Sequence, residues 1–106
     1  MRLVVLESPY AGDVEANTIY ARECIRDCLK RGEAPIASHL LFTQPGILDD
    51  KKPDERKLGI EAGHTWIQQA QMMVVYTDRG ISGGMIAGIF EAQSMNVNIE
   101  FRKLYG

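Results

Sequence analysis

Residues Tyr76–Ala92 read Y-T-D-R-G-I-S-G-G-M-I-A-G-I-F-E-A, and this stretch decides the fold. The apolar run Met72 to Tyr76 leads into it. Met85, Ile89 and Ala92 follow at helical spacing, with Ile86 and Phe90 beside them. That pattern predicts a strand, a glycine-rich turn and an amphipathic helix. The turn sets Ser82, Gly83 and Gly84 where the first free backbone N–H groups of the helix point. Those groups and the helix dipole both favour negative charge, so the turn can hold an anion. The same residues also serve simply to cap a helix. Gly83 and Gly84 lack a Cβ, which lets a ligand approach the backbone. Asp78 sits at the strand exit, where open α/β sheets bind their ligands.

Working outward, the rest of the chain repeats this unit. Arg2 to Glu7 reads as a first strand, with Leu3-Val4-Val5-Leu6 apolar on both faces, as in a central parallel strand. Ser8-Pro9-Tyr10-Ala11-Gly12-Asp13 forms a turn. A helix is expected from Val14 to Arg31, with Ile19, Ala21, Ile25, Cys28 and Leu29 as its apolar stripe and Gly32 as its stop. Pro35 to Phe42 reads as a second strand. Residues 43–53 form a loop long enough to act as a lid or binding loop, or as a plain solvated excursion. A helix from Asp54 to Gln71 turns Leu58, Ala62, Trp66 and Ala70 to one side, and Gly59 and Gly63 mark close packing. Asn98 to Leu104 reads as an edge strand, with Ile99, Phe101 and Lys103 alternating against Glu100 and Arg102. The order β-α-β-α-β-α-β predicts an open, doubly wound parallel α/β sheet of about four strands. Right-handed crossovers make 2-1-3-4 its natural strand order. The loop 8–13 and the turn 78–84 would then face each other across one crevice.

Composition narrows the function. A chain of 106 residues suits a single domain spanning 1–106. Hydrophobic residues make up 45% and charged residues 25%, as in an ordinary soluble protein. A net charge of −2 offers no global field for nucleic acid or anionic lipid. No apolar stretch approaches the ~20 residues of a membrane helix, and no leader segment opens the chain. A cytoplasmic protein is expected. Cys24 and Cys28 share a helix face and read as packing residues rather than a disulfide. His39 and His64 do not stand in ligand spacing, so neither metal nor cofactor is expected.

Several polar residues converge on the crevice. Glu7 ends the first strand, Ser8, Tyr10, Gly12 and Asp13 lie in its loop, and Asn17 lies one turn into the first helix. Asp78, Ser82, Gly83, Gly84 and Met85 come from the facing side. Glu91 lies on the third helix, His39 near the exit of the second strand, and Arg56 opens the second helix. Carboxylates in such a cleft can bind ribose hydroxyls, or one can attack a sugar carbon while another handles protons. Arg56 and the Ser82–Gly84 turn could hold a phosphate. Each has a plainer role open to it: Asp13 and Asp54 as helix caps, Asp78 as a turn former, Glu91 as a solvated charge, His39 as a structural histidine.

These residues resemble a family. S-P-Y-A-G-D at 8–13, Asn17, Pro35 with His39-Leu40, P-D-E-R at 53–56 with Gly59, and G-I-S-G-G-M at 80–85 are similar to small phage and bacterial proteins related to nucleoside 2-deoxyribosyltransferases. The resemblance covers nearly the whole chain, in order. It implies a flavodoxin-like domain, cleavage or transfer of an N-glycosidic bond, a helix carboxylate as nucleophile and assembly as homodimers or larger oligomers. One position departs from it. The family pattern G-M-x-x-E carries the nucleophile, and here Gly84-Met85-Ile86-Ala87 is followed by Gly88. Glu91 and Glu7 are the carboxylates left to take that role. The expectation is therefore a domain that binds a nucleotide, nucleoside or ADP-ribose-like ligand. In a phage-type protein that would sequester a nucleotide signal. The alternative is an N-glycosidase or deoxyribosyltransferase acting through Glu91 or Glu7.

Overall fold

Two strands bury apolar side chains on both faces, and this sets the centre of the sheet. The structure, a computed structural model, describes residues 1–106. Its elements are β1 (Arg2–Glu7), α1 (Val14–Lys30), β2 (Glu33–Ile36), α2 (Ser38–Leu41), α3 (Pro53–Gln69), β3 (Met72–Tyr76), α4 (Gly83–Ser94) and β4 (Asn98–Arg102). All residues of β3 are buried, so it must lie inside the sheet and be covered on both sides. The strand order is β2-β1-β3-β4 and every pairing is parallel. Val5 is level with Ile36 on one side and Met73 on the other.

Alternation along the strands sorts the core into two layers. Val4, Leu6, Met72, Val74 and Tyr76 pack with Tyr20, Cys24 and Cys28 of α1. Val5, Met73 and Val75 pack with Ile67 of α3 and with Met85 and Ala92 of α4. Glu7 has the parity of Val5, so its side chain belongs to the α3/α4 layer. The three long helices each start at a recognisable signal. Asp13 accepts a hydrogen bond from the Ala16 N–H at 3.1 Å and caps α1, and Gly12 takes the left-handed turn before it at φ 97°. Pro53 is the first residue of α3, where its missing N–H costs nothing. Ser82 caps α4 by accepting from the Met85 N–H at 3.3 Å.

Several sequence expectations shift. The second strand is Glu33–Ile36, and Ser38–Leu41 is a helical turn rather than strand. A short apolar run cannot separate the two by periodicity. Contact with α3 decides it, because Gly63 lets Ser38 come so close that an added Cβ would lie 2.5 Å from Ser38 Oγ. The buried stripe of α1 is Asn17, Tyr20, Ala21, Cys24 and Cys28, while Ile19 and Leu29 are exposed. On α3 the buried residues are Gly63 and Ile67; Leu58 and Trp66 face outward. The alternation of β4 is inverted at its end: Phe101 is exposed and Arg102 buried. Arg102 Nη1 and Nη2 donate to Glu33 Oε1 and Oε2 at 2.7 and 2.6 Å, joining the two edge strands through a buried ion pair. No helix is long and apolar enough to cross a membrane.

Candidate functional site

A cavity of about 310 Å³ opens at the C-terminal end of β1, on the α3/α4 side of the sheet. That volume falls within the range of small-molecule sites. β1 and its loop contribute Val5, Glu7, Ser8, Tyr10 and Ala11. Ser38, His39, Phe42 and Thr43 come from α2 and the residue stretch after it. From α3 come Glu55, Arg56, Gly59, Ile60, Gly63, His64 and Ile67, and from α4 with its cap Ser82, Gly83, Gly84, Met85 and Ala87. Leu48 and Asp50 of the 43–53 loop complete the wall.

Glu7 is the group at the inner end. Its carboxyl occupies the space above Gly88: a Cβ at position 88 would lie 2.9 Å from Glu7 Cδ and 3.6 Å from Cγ, and closer still to Oε1. A glycine there is what leaves the carboxyl its place. Burial pushes the Glu7 carboxyl up from its ordinary 4.5 to about 8, so it is protonated at neutral pH. Desolvation is the whole cause, with no neighbouring charge holding the ionised form.

His39, on α2, lines the same cavity. Its Nε2 shares a hydrogen bond with Ser8 Oγ at 2.7 Å. Its Nδ1 is buried and has no partner in the chain. Burial pushes the imidazole down to about 4, so it is neutral. Thr43 fixes the turn that carries it by donating its hydroxyl to the His39 carbonyl at 2.7 Å. The inner cavity is therefore lined by neutral hydrogen-bonding groups.

Charge is confined to the mouth. Arg56 Nη1 is paired with Asp50 Oδ2 at 2.9 Å, and both line the cavity. Glu55 pairs with Lys52 at 3.5 Å. At the N-terminus of α4 the Ser82 N–H donates to Met85 Sδ at 3.3 Å. Gly83 and Gly84 follow at the cavity wall, where the first N–H groups of a helix have no partner within it. This end can accept a phosphate or a sugar oxygen.

Nine residues singled out from the sequence meet here: Glu7, Ser8, Tyr10, His39, Arg56, Ser82, Gly83, Gly84 and Met85. Five do not. Gly12 and Asp13 shape and cap the start of α1. Asn17 is buried and holds the loop, donating to the Tyr10 and Ala11 carbonyls at 3.0 and 3.2 Å and accepting from Arg79 Nε at 2.8 Å. Asp78 is turned to the α1 side, the parity of Tyr76. Its Oδ1 accepts from the Tyr20 hydroxyl at 2.6 Å and from the Leu104 N–H at 2.8 Å, and its Oδ2 from the Tyr105 N–H at 3.0 Å. Glu91 stands behind His64, its Oε2 3.9 Å from His64 Nδ1, and only His64 reaches the cavity. The cavity thus keeps the Ser82–Gly84 end of the turn, loses Asp78, and extends toward α2 and α3. His64, Asp50, Glu55, Gly59 and Gly63 also line the cavity, although the sequence pattern marks none of them as a site residue. The glycine pair, four residues apart on α3, was the available signal, since small residues at that spacing open one helix face.

The chain belongs to the family described as Domain of unknown function (DUF7768), whose model matches residues 2–102. No curated protein is detectably similar in sequence. Among solved structures, the chain is similar to a 2-deoxyribosyltransferase from the psychrotolerant bacterium Bacillus psychrosaccharolyticus, with a TM-score of 0.66 at 13% identity over 98% of this chain and 74% of that one. It is also similar to the CMP N-glycosidase BcmB of Clostridium botulinum, with a TM-score of 0.57 at 15% identity over 96% of this chain and 69% of that one. At such identities the likeness is one of fold.

Proposed function

We propose that this DUF7768 domain binds a nucleoside or nucleotide in the cavity between the 8–11 loop, α2, α3 and the start of α4. The observation that carries the reading is that one cavity brings Glu7 and the hydrogen-bonded Ser8–His39 pair together with the start of α4 and Arg56. Protonated Glu7 and the Ser8–His39 pair offer uncharged donors and acceptors suited to a base edge or sugar hydroxyls. Gly83, Gly84 and Arg56 offer the mouth groups that suit a phosphate. The fold likeness to two enzymes named for nucleoside and nucleotide chemistry supports the same ligand class.

A thermal-shift panel of nucleosides, their 5′-monophosphates and ADP-ribose tests this. A ligand present at 100 times its Kd stabilises the folded state by about 2.7 kcal/mol, a rise on the order of 10 °C for a domain of this size. Stabilisation by one chemical class is expected. A flat response to every compound would contradict the reading.

A second reading, cleavage of the base–sugar bond, is favoured by one observation: a carboxyl group lies inside the cavity, at Glu7. Chromatography of each mixture after incubation separates it from binding alone. Intact ligand supports a binder and free base an N-glycosidase.

A further inference from the structure

The carboxyl of Glu7 fills the volume that a side chain at Gly88 would take, and nothing in the packing of β1 demands a glutamate there. Val5, two residues earlier on the same face, is apolar and fully packed. A carboxyl delivered from the strand into the cavity, over the one buried glycine of α4, is a placement with a use.

We infer that Glu7 is the catalytic acid of this cavity, acting on an N-glycoside whose base lies toward the inner end, and that Gly88 is the positioning residue that leaves its carboxyl room. This rests on the nucleoside reading above. In the step, the Glu7 O–H proton passes to a ring nitrogen of the base as the C1′–N bond breaks, and the bonding electron pair leaves with the base. Water supplies the oxygen that bonds to C1′, and its proton returns to the Glu7 carboxylate. The products are free base and free sugar or sugar phosphate, with no redox change. The role requires the acid to be protonated before the step, which its desolvated position provides. The other titratable groups lining the cavity are Tyr10 from the loop, His39 from α2, Asp50, and Glu55, Arg56 and His64 from α3. His39 stays neutral and bonded to Ser8, which leaves Glu7 as the donor at the inner end.

The test uses the full chain with adenosine, deoxyadenosine, cytidine, thymidine and their 5′-monophosphates, read by chromatography for free base and by calorimetry for affinity. Glu7→Gln keeps the shape and a hydrogen-bond donor but cannot supply the proton. It is expected to lower base release at least 100-fold while affinity changes less than about threefold. Gly88→Ala pushes the carboxyl aside and is expected to lower base release at least tenfold with an unchanged circular dichroism spectrum. The wild-type rate is expected to fall tenfold per pH unit above about pH 8. Base release by Glu7→Gln at the wild-type rate would overturn the assignment. So would a wild type that binds a compound and never releases base, which would leave the binding reading standing. Neither binding nor release from any compound would overturn both.

Discussion

Glu7 and Gly88 are complementary: the carboxyl of one lies where a side chain of the other would begin, with 2.9 Å between Glu7 Cδ and a Cβ built at position 88. The two residues should therefore be coupled in stability. Gly88→Glu forces two carboxyl groups into one volume, whereas in a Glu7→Ala background the space is empty. A double-mutant cycle by urea denaturation is expected to give a coupling energy of about 1–3 kcal/mol. Additive effects would mean that Glu7 and position 88 do not share the space.

The same residue sets a pH dependence. The Glu7 carboxyl is raised from 4.5 to about 8 on folding, so the native state holds a proton that the unfolded chain releases. That contribution to stability is complete below about pH 4.5 and is lost as pH rises to about 8. His39, lowered from 6.5 to about 4, acts in the opposite sense, its contribution being present above 6.5 and lost as pH falls toward 4. The two oppose each other between 4.5 and 6.5. From pH 6.5 to 8 Glu7 acts without that opposition, and stability should fall by at most about 2 kcal/mol. Chemical denaturation at both pH values in Glu7→Gln should show that fall removed.

Asp78 should matter for stability and not for the ligand. Its carboxylate accepts from Tyr20, Leu104 and Tyr105 and so ties the chain end to β3 and α1. Asp78→Ala is expected to cost about 2–3 kcal/mol, since hydrogen bonds to a charged group are worth roughly 1.5–3 kcal/mol each and are shared here with one another. Calorimetric affinity for a cavity ligand should be unchanged. A large loss of affinity with intact stability would place Asp78 back in the site.

Gly63 governs where His39 stands. A methyl group at this position would meet Ser38 Oγ at 2.5 Å and Ser38 Cβ at 3.2 Å, so Gly63→Ala must push α2 outward. A cost of about 1–3 kcal/mol is expected, together with a change in the His39 ring resonances by NMR. Ser38→Gly in the same chain should recover most of it. Wild-type melting by Gly63→Ala alone would show that α2 yields freely.

Arg102 and Glu33 form the buried tie between the edge strands. Arg102→Met leaves the Glu33 carboxylate buried without its main partner and is expected to cost about 3–5 kcal/mol. Glu33→Leu together with Arg102→Met should be far less costly, because no buried charge is stranded. Thermal melts of the single and double variants decide between these outcomes.

Strand order was legible because the alternation of strand and helix is unambiguous in this chain and right-handed crossovers leave few choices. The strand centres at Val4–Leu6 and Met72–Tyr76 are apolar on both faces, which marks them as interior. That Glu7 and Ser8, at the end of β1, line the cavity was legible for the same reason. Parity distinguishes the two strand-end carboxylates: Glu7 follows Val5 toward α4, and Asp78 follows Tyr76 toward α1. That alone separates the cavity carboxyl from the structural one. The turn at Ser38–Leu41 was not readable, because it depends on the missing Cβ of Gly63, 25 residues further along the chain. The burial of Arg102 likewise depends on Glu33 across the whole sheet, a contact that no local pattern announces.

The most direct test of the account is a nucleoside and nucleotide titration of ¹⁵N-labelled protein followed by amide resonances. Shifts are expected to cluster at Ser8, His39, Gly83, Gly84 and Gly88, with Gly12, Asp13 and Asn17 little affected. Resonances that never move, or that move around Asp78 and the start of α1 instead, would contradict a ligand site in this cavity.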